Sequence, residues 1–240
     1  MLEWQQELGV DECMGEEPVD MFALAAPAPK PAQAQAQAPA SAKDVVPQHA
    51  DPIDDARAAA RGAADLEALK QALAAYPHCD LRMGARSLVF ADGVAGARVM
   101  ILGEAPGRDE DRQGKPFVGR AGQLLDRMLA AIGLDRAAPD PAKAVYITNV
   151  LPWRPPQNRD PRPDEIAMLL PFVERHVALA KPDVLVLMGN TPCQAVLKRR
   201  GITRLRGTWA DAFGVPVLPM LHPAYLLRNP AAKREAWADL

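Results

Sequence analysis

Three short stretches hold most of the side chains that could do chemistry. ILGEAPGRDEDRQGKPFVGRAG (101–122) sets Glu104, Glu110 and the flat ring of Phe117 among five glycines, directly after an apolar run. TNVLPWRPPQNRDP (148–161) carries Asn149 near its start and goes on through Arg154, Asn158 and Arg159. LHPAYLLRNP (221–230) has His222 as its second residue. Carboxylates, an imidazole and carboxamides are groups that take up protons and pair with the edge of a ligand. Strand-to-helix turns favour Gly, Asn and Pro in any fold, so each stretch alone has a purely structural explanation. Convergence of all of them on one rim is what would make a site.

The elements that must position them alternate along the chain. ARVMILG (97–103), AVYITNVL (144–151), DVLVLMG (183–189) and VPVLPML (215–221) are short, β-rich apolar runs. Between them lie helical patterns at 122–133, 163–180 and 191–199, and residues 53–75 carry a further helical pattern with Ile53, Leu66, Leu69 and Leu73 on one face. Nearly continuous apolar strands separated by helices predict an α/β fold: three layers, α/β/α, around a central, mainly parallel four-stranded sheet. In such a sheet ligands bind at the carboxyl ends of the strands. Those ends are Gly103-Glu104-Ala105-Pro106-Gly107, Asn149, Gly189-Asn190-Thr191 and His222. No G-x-G-x-x-G, G-x-x-x-x-G-K-[ST] or G-x-S-x-G motif is present, which sets aside the nucleotide-binding and serine-hydrolase classes that carry them.

Composition and charge divide the chain. Of its 240 residues 49% are apolar, and no apolar run reaches the roughly 20 residues of a membrane span. The opening MLEWQQELGVDE is acidic and lacks the basic and apolar regions of a signal peptide, so a cytoplasmic, nucleoid-associated protein is expected. Three scattered cysteines (Cys13, Cys79, Cys193) and four histidines offer no disulfide framework and no metal-ligand spacing. Residues 1–75 hold thirteen acids against five bases, whereas residues 76–240 hold twenty-three bases against seventeen acids, so any phosphate-binding surface belongs to the later part. The expected organisation is a short acidic segment (1–23), a disordered Ala/Pro/Gln linker (24–50) and a folded domain (51–240). Segment 1–23 carries Leu2, Trp4, Leu8 and Val10 in an amphipathic pattern. It could dock on an unknown protein partner or on the domain, or trail as a mobile tail.

GEAPGRDEDRQGKPFVGRAGQLL, YITNVLPWRPPQNRDPRPDE and HPAYLLRNP, in that order, resemble the signature segments of the family 4 uracil-DNA glycosylases of bacteria and archaea. The resemblance runs from about Tyr76 to Leu240. It implies hydrolysis of the N-glycosidic bond of deoxyuridine in single- or double-stranded DNA by a monomer, after the base has been flipped into a pocket. It further implies that uracil stacks on Phe117, that Asn149 reads the O4/N3 edge, and that Gly103 and Ala105 line the pocket. His222 would donate to O2 as charge develops there. Glu104 or Glu110 would orient water or face the cationic sugar. The comparable loop of better-known uracil glycosylases has an Asp before its Pro, where this chain has Ala105. The motif therefore leaves the water-activating duty open between the two carboxylates; Glu104 is the favoured one, Glu110 would shape the C5 side against thymine, and Asn158 could help hold the water. Candidate DNA contacts are Arg154, Arg159, Arg200, Arg204, Arg206 and Arg228, with Leu226 or Leu227 as an apolar wedge.

Family 4 enzymes hold a [4Fe–4S] cluster on four cysteines, and here the sequence departs from them. The corresponding positions are Tyr76, Cys79, Trp153 and Leu169. One thiolate cannot hold a cubane, so no cofactor and no metal are expected, with aromatic and aliphatic packing in the cluster's place. Two alternatives stand beside the glycosylase reading: a glycosylase for other deaminated or mismatched bases, and a non-catalytic DNA-binding or polymerase-associated module.

Overall fold

Asp51 accepts the Ile53 N–H at 2.8 Å and Asp65 accepts the Ala68 N–H at 2.8 Å, so two capped helices open the domain, α1 (Pro52–Gly62) and α2 (Leu66–Ala75). The second cap explains why the helical stretch expected over 53–75 is divided. The structure, a computed structural model, describes residues 51–240. The segment 1–23 and the linker 24–50 lie outside the described residues.

The chain continues through α3 (Leu81–Gly84), β1 (Asp92–Gly93), β2 (Val99–Gly103), α4 (Arg108–Gln113) and α5 (Arg120–Ala131). Next come β3 (Val145–Asn149), α6 (Pro163–Ala180), β4 (Val184–Met188), α7 (Asn190–Leu197) and α8 (Ile202–Leu205). The last elements are β5 (Ala210–Ala212), β6 (Val215–Met220), α9 (Pro223–Arg228) and α10 (Lys233–Asp239). Sheet order is β1-β3-β2-β4-β6-β5. Its four inner strands are the four expected ones and run parallel, while β1 and β5 add antiparallel edges. The sheet therefore has six strands instead of four. Edges of two and three residues are too short to show an alternating pattern in sequence.

Register decides where the site can form. Gly103 pairs with Asn149, Leu102 with Leu187 and Met188 with Met220, so the inner strands end level with one another. The alternation of side chains then divides the core. Met100, Leu102, Tyr146, Leu185, Leu187 and Val217 face one layer, with α1, α2, α6 and α7. Ile101, Val145, Ile147, Val186, Met188, Leu218 and Met220 face the other, with Leu125 and Leu129 of α5. Every residue of β3 is buried, as expected of a strand covered on both faces. Deep in the first layer, the Tyr146 hydroxyl lies 2.8 Å from His176 Nε2, and Phe90 stacks on the His176 ring at 4.4 Å. Burial alone lowers the His176 pKa to about 3, so the ring is neutral.

Tyr76, Cys79, Trp153 and Leu169 share this first layer, all buried. The Tyr76 hydroxyl donates to the Pro52 carbonyl at 2.7 Å, and its ring meets Phe172 edge-on at 5.2 Å. No helix among the described residues is long and apolar enough to cross a membrane.

Candidate active site

At the carboxyl end of β2 the backbone leaves the sheet still paired to β3. The Gly103 and Glu104 carbonyls still accept from Val150 and Leu151, at 2.9 and 3.0 Å, which extends the pairing to β3 by one step. A Cβ on Gly103 would lie 2.3 Å from Asn149 Oδ1 and 2.5 Å from the Phe117 ring, so only glycine admits both groups here. Asn149, Phe117 and Gly103 thus form one buried block. His222 joins it from the β6 side: its ring is stacked on Phe117 with centroids 5.4 Å apart and planes inclined by 29°.

Beside this block opens a cleft of about 410 Å³. Glu104, Ala105, Thr191, His222, Asp160, Arg200 and Arg228 are among its lining residues. Gly103, Phe117 and Asn149 adjoin the cleft through His222 and Glu104 rather than lining it. Glu104 Oε2 accepts from the Thr191 hydroxyl at 2.6 Å. Burial raises the Glu104 pKa and Asp160 adds to the rise, while the Thr191 hydrogen bond and the charge of Arg200 work against it. His222 caps α9, its Nδ1 accepting the Ala224 N–H at 3.1 Å, which leaves the ring proton on Nε2. Burial, reinforced by the Arg228 charge, lowers this ring's pKa to about 4. The imidazole is a neutral donor at physiological pH.

Several expected site residues are committed elsewhere. Glu110 Oε1 accepts the N–H groups of Val118 and Gly119, at 3.0 and 2.8 Å, and so braces the loop that carries Phe117. Asn158 is not brought to the cleft: it is exposed, and its Oδ1 accepts from Arg154 Nε at 2.7 Å. Arg159 grips the buried Glu165 with its two terminal guanidinium nitrogens, at 2.9 and 2.6 Å. Burial pushes the Glu165 carboxyl up, but the Arg159 and Arg162 bonds outweigh it and hold the group ionised. Arg206 binds Asp239 through Nε at 2.7 Å and through Nη2, and it donates to the Glu235 carbonyl, which ties α8 to α10. Leu226 on the inner side of α9 is buried at 1% exposure, whereas Leu227 stands 39% exposed. Arg200, Arg204 and Arg228 are exposed. Asn190 Oδ1 holds the N–H groups of Gly201 and Ile202, at 3.0 and 2.9 Å, and anchors the basic loop to the rim.

A match to the uracil DNA glycosylase superfamily spans residues 90–240, which include all of this rim. The chain belongs to that superfamily. Relatives include the type-4 uracil-DNA glycosylase of Thermotoga maritima, 40% identical over 154 residues, 63% of this chain and 77% of the relative. The type-4 enzyme of Archaeoglobus fulgidus is 39% identical over 172 residues, 67% of this chain and 82% of its own. That of Sulfurisphaera tokodaii is 36% identical over 179 residues, 70% and 79% of the two chains. As a member of the superfamily with type-4 relatives, the chain invites a test for the cluster. Its four positions supply one sulfur, two aromatic rings and an isobutyl group, a set that does not fit a thiolate-held cluster. Among the described residues no three His, Cys, Asp or Glu side chains are grouped so as to hold a metal ion.

Proposed function

We propose that this chain is a uracil-DNA glycosylase that hydrolyses the N-glycosidic bond of deoxyuridine in DNA, releasing uracil and leaving an abasic site for base excision repair. The observation that carries the reading is the meeting of Glu104, Phe117, Asn149 and the neutral, Nε2-protonated His222 at one rim.

In this reading the flipped uracil stacks on Phe117 and pairs its O4/N3 edge with Asn149, whose donor and acceptor match uracil and mismatch cytosine. His222 Nε2–H donates to O2, where negative charge grows as the glycosidic bond breaks. Thr191 engages one oxygen of Glu104 and leaves the other to orient water or face the positive sugar. Glu110 acts on the C5 side by holding the loop behind Phe117. Arg200 and Arg228 at the cleft, with Arg204 outside it, anchor flanking phosphates, and the exposed Leu227 supplies the wedge. The protein works without a cluster, as a monomer on nucleoid DNA in the cytoplasm. Segment 1–23 is left for a protein partner.

A panel of otherwise identical oligonucleotides carrying uracil, hypoxanthine, xanthine or a mismatched thymine tests the base assignment. Release confined to uracil is expected; faster release of another base would overturn it.

A further inference from the structure

Phe117 has a backbone φ of 53°, in the left-handed region that a residue with a bulky side chain enters only under constraint. The constraint is visible on both flanks. Glu110 takes the two N–H groups that follow, those of Val118 and Gly119. Arg136 takes the carbonyls: its Nη1 donates to Pro116 O and its Nη2 to Phe117 O, each at 3.0 Å. Gly122 of α5 presses against the same carbonyl, where a Cβ would lie 1.8 Å from Phe117 O.

Arg136 is itself fixed before any ligand arrives. Its side chain is only 14% exposed, and its Nε donates to Asp126 Oδ1 at 2.8 Å. Nη1 also reaches Asp92 Oδ2 at 3.1 Å. Two carboxylates therefore neutralise the guanidinium while its planar fork spans two successive carbonyls. A lysine ammonium, a point charge on a flexible stem, cannot reproduce that fork. Arg136 is not among the residues lining the cleft and has no part in the chemistry assigned above.

We propose that Arg136 is a positioning residue for base recognition, acting through Phe117: it locks the strained backbone that holds the ring against His222, Gly103 and Asn149. The inference rests on the reading of Phe117 as the uracil-stacking face. Loss of the fork lets the loop relax toward ordinary backbone angles and turns the ring away from its place. The contribution concerns the base and leaves the grip on DNA phosphates alone.

The test compares the unsubstituted protein with Arg136→Gln, Arg136→Lys and Phe117→Ala. Three quantities are read: single-turnover uracil release, inhibition by free uracil, and affinity for an oligonucleotide carrying a tetrahydrofuran abasic analogue. Both Arg136 variants should release uracil about tenfold or more slowly, since small misplacements near reacting groups cost that much. Both should also be inhibited less by free uracil, with abasic-DNA affinity held within about twofold. Unchanged release, full rescue by lysine, or an equal fall in abasic-DNA affinity would each overturn the proposal. If Arg136→Gln does not fold, Asp126→Asn, a change at a half-exposed surface position, frees one side of the guanidinium. A smaller loss of the same pattern is then expected, and none would refute it. Phe117→Ala keeps the two readings apart. Full activity in that variant sinks the stacking role, whereas impaired Phe117→Ala beside unimpaired Arg136 variants sinks this inference alone.

Discussion

His222 accepts the Ala224 N–H through Nδ1 and sits in surroundings that lower its pKa to about 4, so it offers a hydrogen bond rather than a proton. His176, paired with Tyr146, is lowered further, to about 3. Both rings are neutral in the folded chain, while in the unfolded chain they take up protons near pH 6.5. Their contribution to stability is fully present above pH 6.5 and is lost as pH falls toward about 4 for His222 and about 3 for His176. Urea melts between pH 7 and 4 should show this decline, on the order of a few kcal/mol, and His176→Gln should flatten it; an equally steep decline in that variant would contradict the assignment. Activity should follow a different group. Burial raises the Glu104 pKa, so the ionised form needed to orient water is lost as pH drops through that raised value. Uracil release should therefore fall on the acid side, and Glu104→Gln should be slow with that limb abolished. A limb that survives the substitution would assign it elsewhere.

Among the elements, α8 and α10 show why charge in a sequence is ambiguous. The run LKRRGITRLRG reads as a phosphate-binding strip, yet Arg206 in it is spent on Asp239, thirty-three residues further on. Arg159 is likewise taken by Glu165. No local pattern announces such partners. Arg200→Ala should reduce the slope of log affinity against log salt by about one, as loss of a phosphate contact does. Arg206→Ala should leave that slope unchanged and lower the melting temperature; the reverse pattern would refute this division. Local pattern sufficed for α6, whose expected bounds 163–180 are the observed Pro163–Ala180, and for the four parallel strands. It placed Thr191 at the end of β4 but not its bond to Glu104, 87 residues away, and it missed Asp160, whose place in the cleft depends on where its loop folds. Of the two leucines on α9, sequence could not say which is exposed and which is core.

At the scale of the whole molecule, Trp153, Tyr76, Leu169 and Cys79, the positions at which the family resemblance implies cluster ligands, lie buried in one apolar layer. Trp153→Ala should cost about 3–5 kcal/mol, as removal of a buried large side chain does. An unchanged denaturation midpoint would show that the indole does not brace the loop. Purified protein should contain no stoichiometric iron or sulfide and no broad visible absorption; finding them would overturn the cluster-free reading. The central claim, that this rim excises uracil, is tested most directly with a labelled oligonucleotide holding a single deoxyuridine, incubated with the protein and then cleaved by alkali. The expected result is cleavage at that position, lost in His222→Ala and Asn149→Ala. Intact single- and double-stranded oligonucleotides after incubation with folded protein would contradict it.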